Sequence, residues 1–207
     1  MLAEFTEQLG IDEFDLLANA LSVRYALEFA DRFPNKVTKL ILTAPLLHAS
    51  TEDKQYFCDW LSVSTELFER SPEFSAEIYR LWHSSAALRL DKHIEESFST
   101  SISSAEKELI DNREFVSVLK ENFRESAAQQ GKGSAADFVY CFNKCSLDLT
   151  QINTNTELWL GDEDGLCSAE GVKINFDSLP KIVYFERKGF GEHIYYSQFE
   201  QIISIRD

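Results

Sequence analysis

The side chains of this chain that can move a proton or attack a carbonyl are few and widely spaced. His193 follows a Gly-Phe-Gly loop, and Asp164 stands in the acidic run "GDEDG". An imidazole that takes a proton from a hydroxyl needs a carboxylate to fix its tautomer, and such a pair serves nucleophilic catalysis only beside a nucleophile. Each also has a bland reading, as a surface histidine and as one of several turn-forming acids. Ser22 falls within a helical pattern, where its hydroxyl is a packing group. His48 follows a strand pattern and reads as a loop residue, and His83 and His93 have no partner visible in sequence. Cys58, Cys141, Cys145 and Cys167 form no CxxC pair and no Cys/His cluster of zinc spacing. Cys141 and Cys145 lie four apart on one helical face, compatible with a pair of ligands. Free thiols in a reducing compartment are the simpler reading. Neither a metal nor a cofactor is expected.

Elements must position these residues, and the chain has the material for them. At 207 residues, 44% hydrophobic and 13% aromatic, it supports a sizeable folded core. From Leu2 to Leu47 the pattern is helix, strand, helix, strand, which predicts parallel strands joined by a right-handed crossover. Val23, Ala26, Leu27, Ala30 and Phe33 keep helical spacing until Pro34, and "VTKLILT" is a β-branched run covered on both faces. Residues 50–146 read as helix throughout. Tyr56, Phe57, Trp60, Leu61, Leu67 and Phe68 form one apolar stripe, Phe74, Ile78, Leu81 and Trp82 another, and Ser103 with Glu106 resembles a capping box. Strand–helix alternation then returns with "ELWLG", a helix near 168–177, "KIVYFE" and a last helix carrying Tyr196, Phe199, Ile202 and Ile203. The expected division is a first core segment over 1–49, a helical cap over 50–146 and a second core segment over 147–207.

Charge and composition exclude some partners. A formal charge of −15 disfavours nucleic acid and anionic membrane surfaces. No apolar run approaches the ~20 residues that cross a bilayer, and the acidic start lacks secretory character. The expected location is the cytoplasm.

Three segments, in order and at fitting spacing, resemble the α/β-hydrolase superfamily of cap-bearing esterases, lactonases and peptidases. "LGIDEFDLLANALSVRYALEFADRFPNKVTKLILTAP" is similar to its nucleophile strand, elbow, helix and next strand. "LDLTQINTNTELWLGDEDGLC" is similar to the segment that re-enters the core, and "LPKIVYFERKGFGEH" to the last strand and histidine loop. The resemblance implies an α/β fold: a parallel sheet of about four strands, the C-terminal half of such a core, with a large helical cap insertion. It implies Ala20 at the nucleophile position, Asp164 at the acid position, His193 at the base position and the backbone N–H of Leu21 as one oxyanion donor.

The departures carry the functional expectation. Ala20 has no oxygen, and losing that atom alone costs on the order of 10⁶ in a serine hydrolase. Ala18 and Ser22 replace the elbow glycines, and Glu192 precedes His193 where glycine is usual. The chain has no His-Gly dipeptide to supply the second oxyanion donor, and the strands that precede the nucleophile strand in the family are absent from it. The expected protein is a truncated, inactive hydrolase relative. The alternatives are a serine hydrolase of a small ester, thioester or lactone, if serine is native at 20 and the missing half is supplied, and a binding or assembly module. Expected partners are a small apolar acyl-type ligand under the cap, and a second copy or partner chain covering the strand edge 14–20.

Overall fold

The computed structural model describes residues 2–99 and 103–204. Four strands, β1 (Phe14–Asn19), β2 (Val37–Thr43), β3 (Asn155–Gly161) and β4 (Ile182–Arg187), form one parallel sheet in the order β1-β2-β3-β4. The inner pair, β2 and β3, is the most apolar and the most buried, as strands covered on both faces must be. Among the described residues β1 pairs only with β2, so its outer backbone row lies at the edge of the sheet.

The β1–β2 crossover is helix α2 (Val23–Arg32), preceded on the chain by α1 (Leu2–Gln8). Val23, Ala26, Leu27 and Ala30 turn one stripe of α2 into the main core with Leu40, Leu42, Leu158 and Leu160. Pro34 cannot continue the helix and forces Phe33 out of helical geometry, at φ −130° and ψ 62°. Helix α9 (Ala169–Phe176) adds Val172 and Phe176 to the same core. The opposite face buries Ile41 and Trp159 under Ile194 and Ile202, which come from α10 (Ile194–Ser197) and α11 (Phe199–Ser204). The single terminal helix expected from the sequence is thus two short ones. Ile202 is buried, whereas Phe199 and Ile203 stand half-exposed beside it.

Among the described residues, six α-helices lie between β2 and β3: α3 (Asp59–Arg70), α4 (Pro72–Ala86), α5 (Leu90–Ser99), α6 (Ser104–Asp111), α7 (Arg113–Ala128) and α8 (Lys132–Phe142). Leu61 and Phe68 of α3 and Phe138, Cys141 and Phe142 of α8 join the main core directly, and two further contacts fasten the insertion. In the first, the buried Arg24 guanidinium donates from Nη1 to the carbonyls of Tyr140 at 2.6 Å and Asn143 at 2.8 Å, and lies 4.1 Å over the Tyr140 ring. A cation there satisfies carbonyls at the C-terminal end of α8 that have no helical donor. In the second, Phe115 of α7 packs on Tyr196 at 4.6 Å and meets His193 edge-on at 5.7 Å.

The apolar stripe expected of α4 is rotated. Phe74, Ile78, Leu81 and Trp82 are exposed, while Ser75 and Ala86 are buried and Tyr79 stacks on Phe138 at 4.4 Å. The helix buries the stripe one residue further round, because small Ser75 lets it sit close and places Tyr79 against α8. Among the described residues no helix is long and apolar enough to cross a membrane.

Candidate active site

Ala20, Asp164 and His193 each follow the C-terminal end of a strand, β1, β3 and β4 in turn. In an open α/β sheet that edge is where ligands bind. Three strand spacings separate β1 from β4, about 14 Å, so a histidine following β4 must lean back over the sheet to approach the elbow. The loop after β4 does so. It crosses the end of β3 so closely that a Cβ on Gly161 would lie 2.1 Å from the Phe190 carbonyl oxygen. The next residue after the loop, Ile194, packs on Ile41 and Ala44 of the neighbouring β2 segment.

The elbow is held in a strained form. Asn19 ends β1 in extended geometry at φ −123°, and Ala20 then turns left-handed at φ 48°. For a residue with a Cβ that conformation costs about 1–2 kcal/mol. Hydrogen bonds hold it on both sides. The Ser22 hydroxyl accepts from the Asn19 N–H at 2.9 Å and donates to the Asn19 carbonyl at 2.7 Å. The Thr43 hydroxyl donates to the Asn19 side-chain oxygen at 2.8 Å, and the Leu46 N–H to the Ala20 carbonyl at 3.3 Å. Leu21 lies in the short 3₁₀ turn that leads into α2. This strand, strained turn and helix is the geometry in which hydrolases project a nucleophile, here carrying a methyl group. Ser22, read from sequence as a packing residue inside the helix, is instead exposed in this turn and fastens it by hydrogen bonds, because its hydroxyl reaches back to the Asn19 backbone.

Asp164 is turned into its own loop. Its Oδ1 accepts from the Leu166 N–H at 2.8 Å and the Cys167 N–H at 3.4 Å. Burial pushes its pKa up to about 7 against those two bonds, and the charges of Glu192 and Glu106 push the same way. Neighbouring Asp162 fastens the histidine loop instead, accepting from the Gly189 N–H at 2.6 Å.

The carboxylate beside His193 belongs to Glu106, on helix α6 of the insertion. Glu106 Oε1 accepts from the His193 backbone N–H at 2.8 Å and lies 3.1 Å from Nδ1, with Glu192 at 3.6 Å. Its side chain is only 4% exposed. Sequence reading singled out Glu106 only as half of a helix start. That half is present, since the Ser103 hydroxyl accepts the Glu106 N–H at 3.1 Å. Burial works against a charge on His193, but the hydrogen bond to Glu106 and the charges of Glu192, Glu106 and Asp164 prevail, holding its pKa above the ordinary value.

The other candidates lie apart from this constellation. Burial lowers the pKa of His48. His83, likewise lowered to about 4 by burial and by His93, meets Trp82 edge-on and Tyr79 at a tilt in the insertion. The four cysteines are free thiols, and burial raises those of Cys141 and Cys167 to about 12. Among the described residues no three His, Cys, Asp or Glu side chains are grouped to hold a metal ion. Two shallow depressions, ≈ 260 Å³ beside α6 and α7 and ≈ 340 Å³ at the N-terminal ends of β2, β3 and β4, are lined by none of Ala20, Asp164 and His193.

No family model matches the chain, and no curated protein matches it in sequence. Solved structures do. A serine hydrolase from the polyaromatic-hydrocarbon-degrading bacterium Cycloclasticus zankles superposes with a TM-score of 0.62 at 13% identity, over 99% of this chain and 70% of its own. A bromoperoxidase from Bacillus anthracis does so with 0.63 at 14%, over 97% and 68%. An α/β-hydrolase fold protein from Chitinophaga pinensis gives 0.62 at 15%, over 98% and 66%. The chain thus spans about two thirds of the length of these neighbours. Identities this low speak for architecture alone, and the architecture of this chain is the α/β-hydrolase fold.

Proposed function

We propose that this chain is a catalytically inactive relative of the α/β hydrolases, with Ala20 at the nucleophile position, Asp164 and His193 at the acid and base positions, and the Leu21 N–H as the remaining oxyanion donor. One observation carries the reading: the strained left-handed elbow is retained at Ala20, φ 48°, with no oxygen on the residue it presents. Strain at a functional turn persists only where the surroundings over-determine it. Here Asn19, Ser22 and Thr43 do so, and the turn serves as the strand-to-helix connection of the core. Fold and chemistry are separable in such scaffolds. The test is labelling of the folded chain with a fluorophosphonate probe. The expected result is no stoichiometric adduct, and a serine adduct would overturn the reading.

A second reading, partner binding at the sheet edge, is favoured by β1. The strand lies at the edge, and Phe5, Leu9 and Ile11 just before it are exposed. An apolar edge of this kind is a template for strand pairing. Light scattering at micromolar concentration should give a mass above 23.7 kDa, either as a dimer or in complex with a chain that covers β1. A cooperatively melting monomer with protected amides along β1 counts against it.

A further inference from the structure

The imidazole of the histidine loop is gripped from the insertion side. The Ser103 hydroxyl donates to the Gly189 carbonyl at 3.2 Å while it caps α6, so the first turn of α6 is fastened directly to the loop. One turn of helix then brings Glu106 to the residue it binds. A single oxygen, Oε1, meets both the backbone N–H and the ring Nδ1 of His193, which fixes the residue at two points rather than one. The loop is shaped for this approach: a Cβ on Gly191 would fall 2.4–2.6 Å from the Glu106 carboxylate. The ring edge of Phe115 closes the neighbouring side at 5.7 Å. Asp164, by contrast, turns its Oδ1 to the N–H groups of Leu166 and Cys167.

We propose that Glu106 is the positioning carboxylate of His193, so that the insertion, and not the loop after β3, sets the orientation and tautomer of this imidazole. A buried carboxylate accepts hydrogen bonds only, so the neutral ring must carry its proton on Nδ1. The inference holds whether or not the chain turns over a substrate, because it concerns the electrostatics of His193 alone. Among the described residues, titratable groups near the ring include Glu106 from α6, Glu192 from the same loop, Asp164 from the loop after β3 and Tyr195 from α10. A histidine whose folded pKa lies above 6.5 stabilises the fold fully below that pH. The gain is lost as the pH rises through the folded value.

Nuclear magnetic resonance on the full chain with ¹⁵N-labelled histidine tests this. In the unmodified protein His193 should titrate above its ordinary value and, once neutral, show the Nδ1–H tautomer. Glu106→Gln should lower its pKa by about one unit or more, and Asp164→Asn by less. An Nε2–H tautomer in the unmodified chain overturns the assignment, and that measurement needs no variant to fold. A His193 titration unmoved by Glu106→Gln, or moved further by Asp164→Asn, overturns it as well.

Discussion

The elbow after β1 and the loop after β4, the two parts of the proposed site, are held in place in opposite ways. At the elbow the backbone is intact: Ala20 holds the left-handed turn, and the hydroxyls of Ser22 and Thr43 fasten Asn19 beside it. The side chain it presents is a methyl group. At the loop an imidazole is present, and its hydrogen-bonded carboxylate is Glu106 from 87 residues upstream. The difference teaches what each region depends on. The elbow is set by a dense local mesh of backbone and side-chain hydrogen bonds, so exchanging the outward side chain leaves it in place. The histidine's pairing rests on one or two side chains, so a single well-placed carboxylate redirects it.

The comparison breaks first where the loop approaches the sheet. Gly161→Ala drives a Cβ into the backbone of Phe190, which cannot yield as a flexible side chain would. It should cost about 3 kcal/mol or more in urea unfolding. A near-neutral result would mean that the histidine loop does not depend on this crossing.

A smaller effect, with a defined pH window, sharpens the loop side. Asp164 has a folded pKa of about 7, above its ordinary 3.8. Its ionised form is therefore disfavoured in the fold, and the penalty is full above pH 7 and vanishes as the pH falls towards 4. Asp164→Asn should stabilise the chain by about 2 kcal/mol at pH 8 and by little at pH 4. Equal effects at both pH values would mean that the carboxylate is not held in the buried, like-charged surroundings described above.

The smallest effect probes the elbow. Ala20→Gly relieves the left-handed strain, so it should raise stability by up to about 1 kcal/mol, with some of the gain offset by the freer unfolded chain. Measured destabilisation would show that the Ala20 methyl packs more favourably than the turn is strained.

Much of this architecture is legible because it is written in local periodicity. The stretch "VTKLILT" matches β2 end to end, and α2 begins at Val23 and stops short of Pro34 as spacing and proline chemistry require. The α4 stripe misleads, because periodicity finds an apolar face without saying which neighbour it meets. Ser75 and Tyr79 decide that, through Phe138 in a distant stretch of the chain. The link from Glu106 to His193 leaves only a trace. Ser103 with Glu106 marks the start of a helix, and nothing in that pattern says that the glutamate also reaches another loop. Gly191 is the other trace, a glycine whose reason lies in the carboxylate beside it.

The mouth of the insertion has a consequence in chain entropy. The Ala49 N–H donates to the Cys141 carbonyl at 3.2 Å, and Arg24 holds the carbonyls of Tyr140 and Asn143. The residues between therefore form a long loop that is already closed. Closure entropy grows only with the logarithm of length, so even doubling such a loop costs about 0.6 kcal/mol. The sheet therefore feels the length of this loop only weakly, whereas its contents matter where Leu61 and Phe68 of α3 and Phe138 of α8 share the main core with Leu40 and Leu158. A helix outside that core, such as α5, whose Ile94 lies in a separate cluster, could be lengthened or shortened with little effect on β2 and β3, provided α3 and α8 still fill the core, the two ends still meet at Arg24 and one helix still presents a carboxylate to His193.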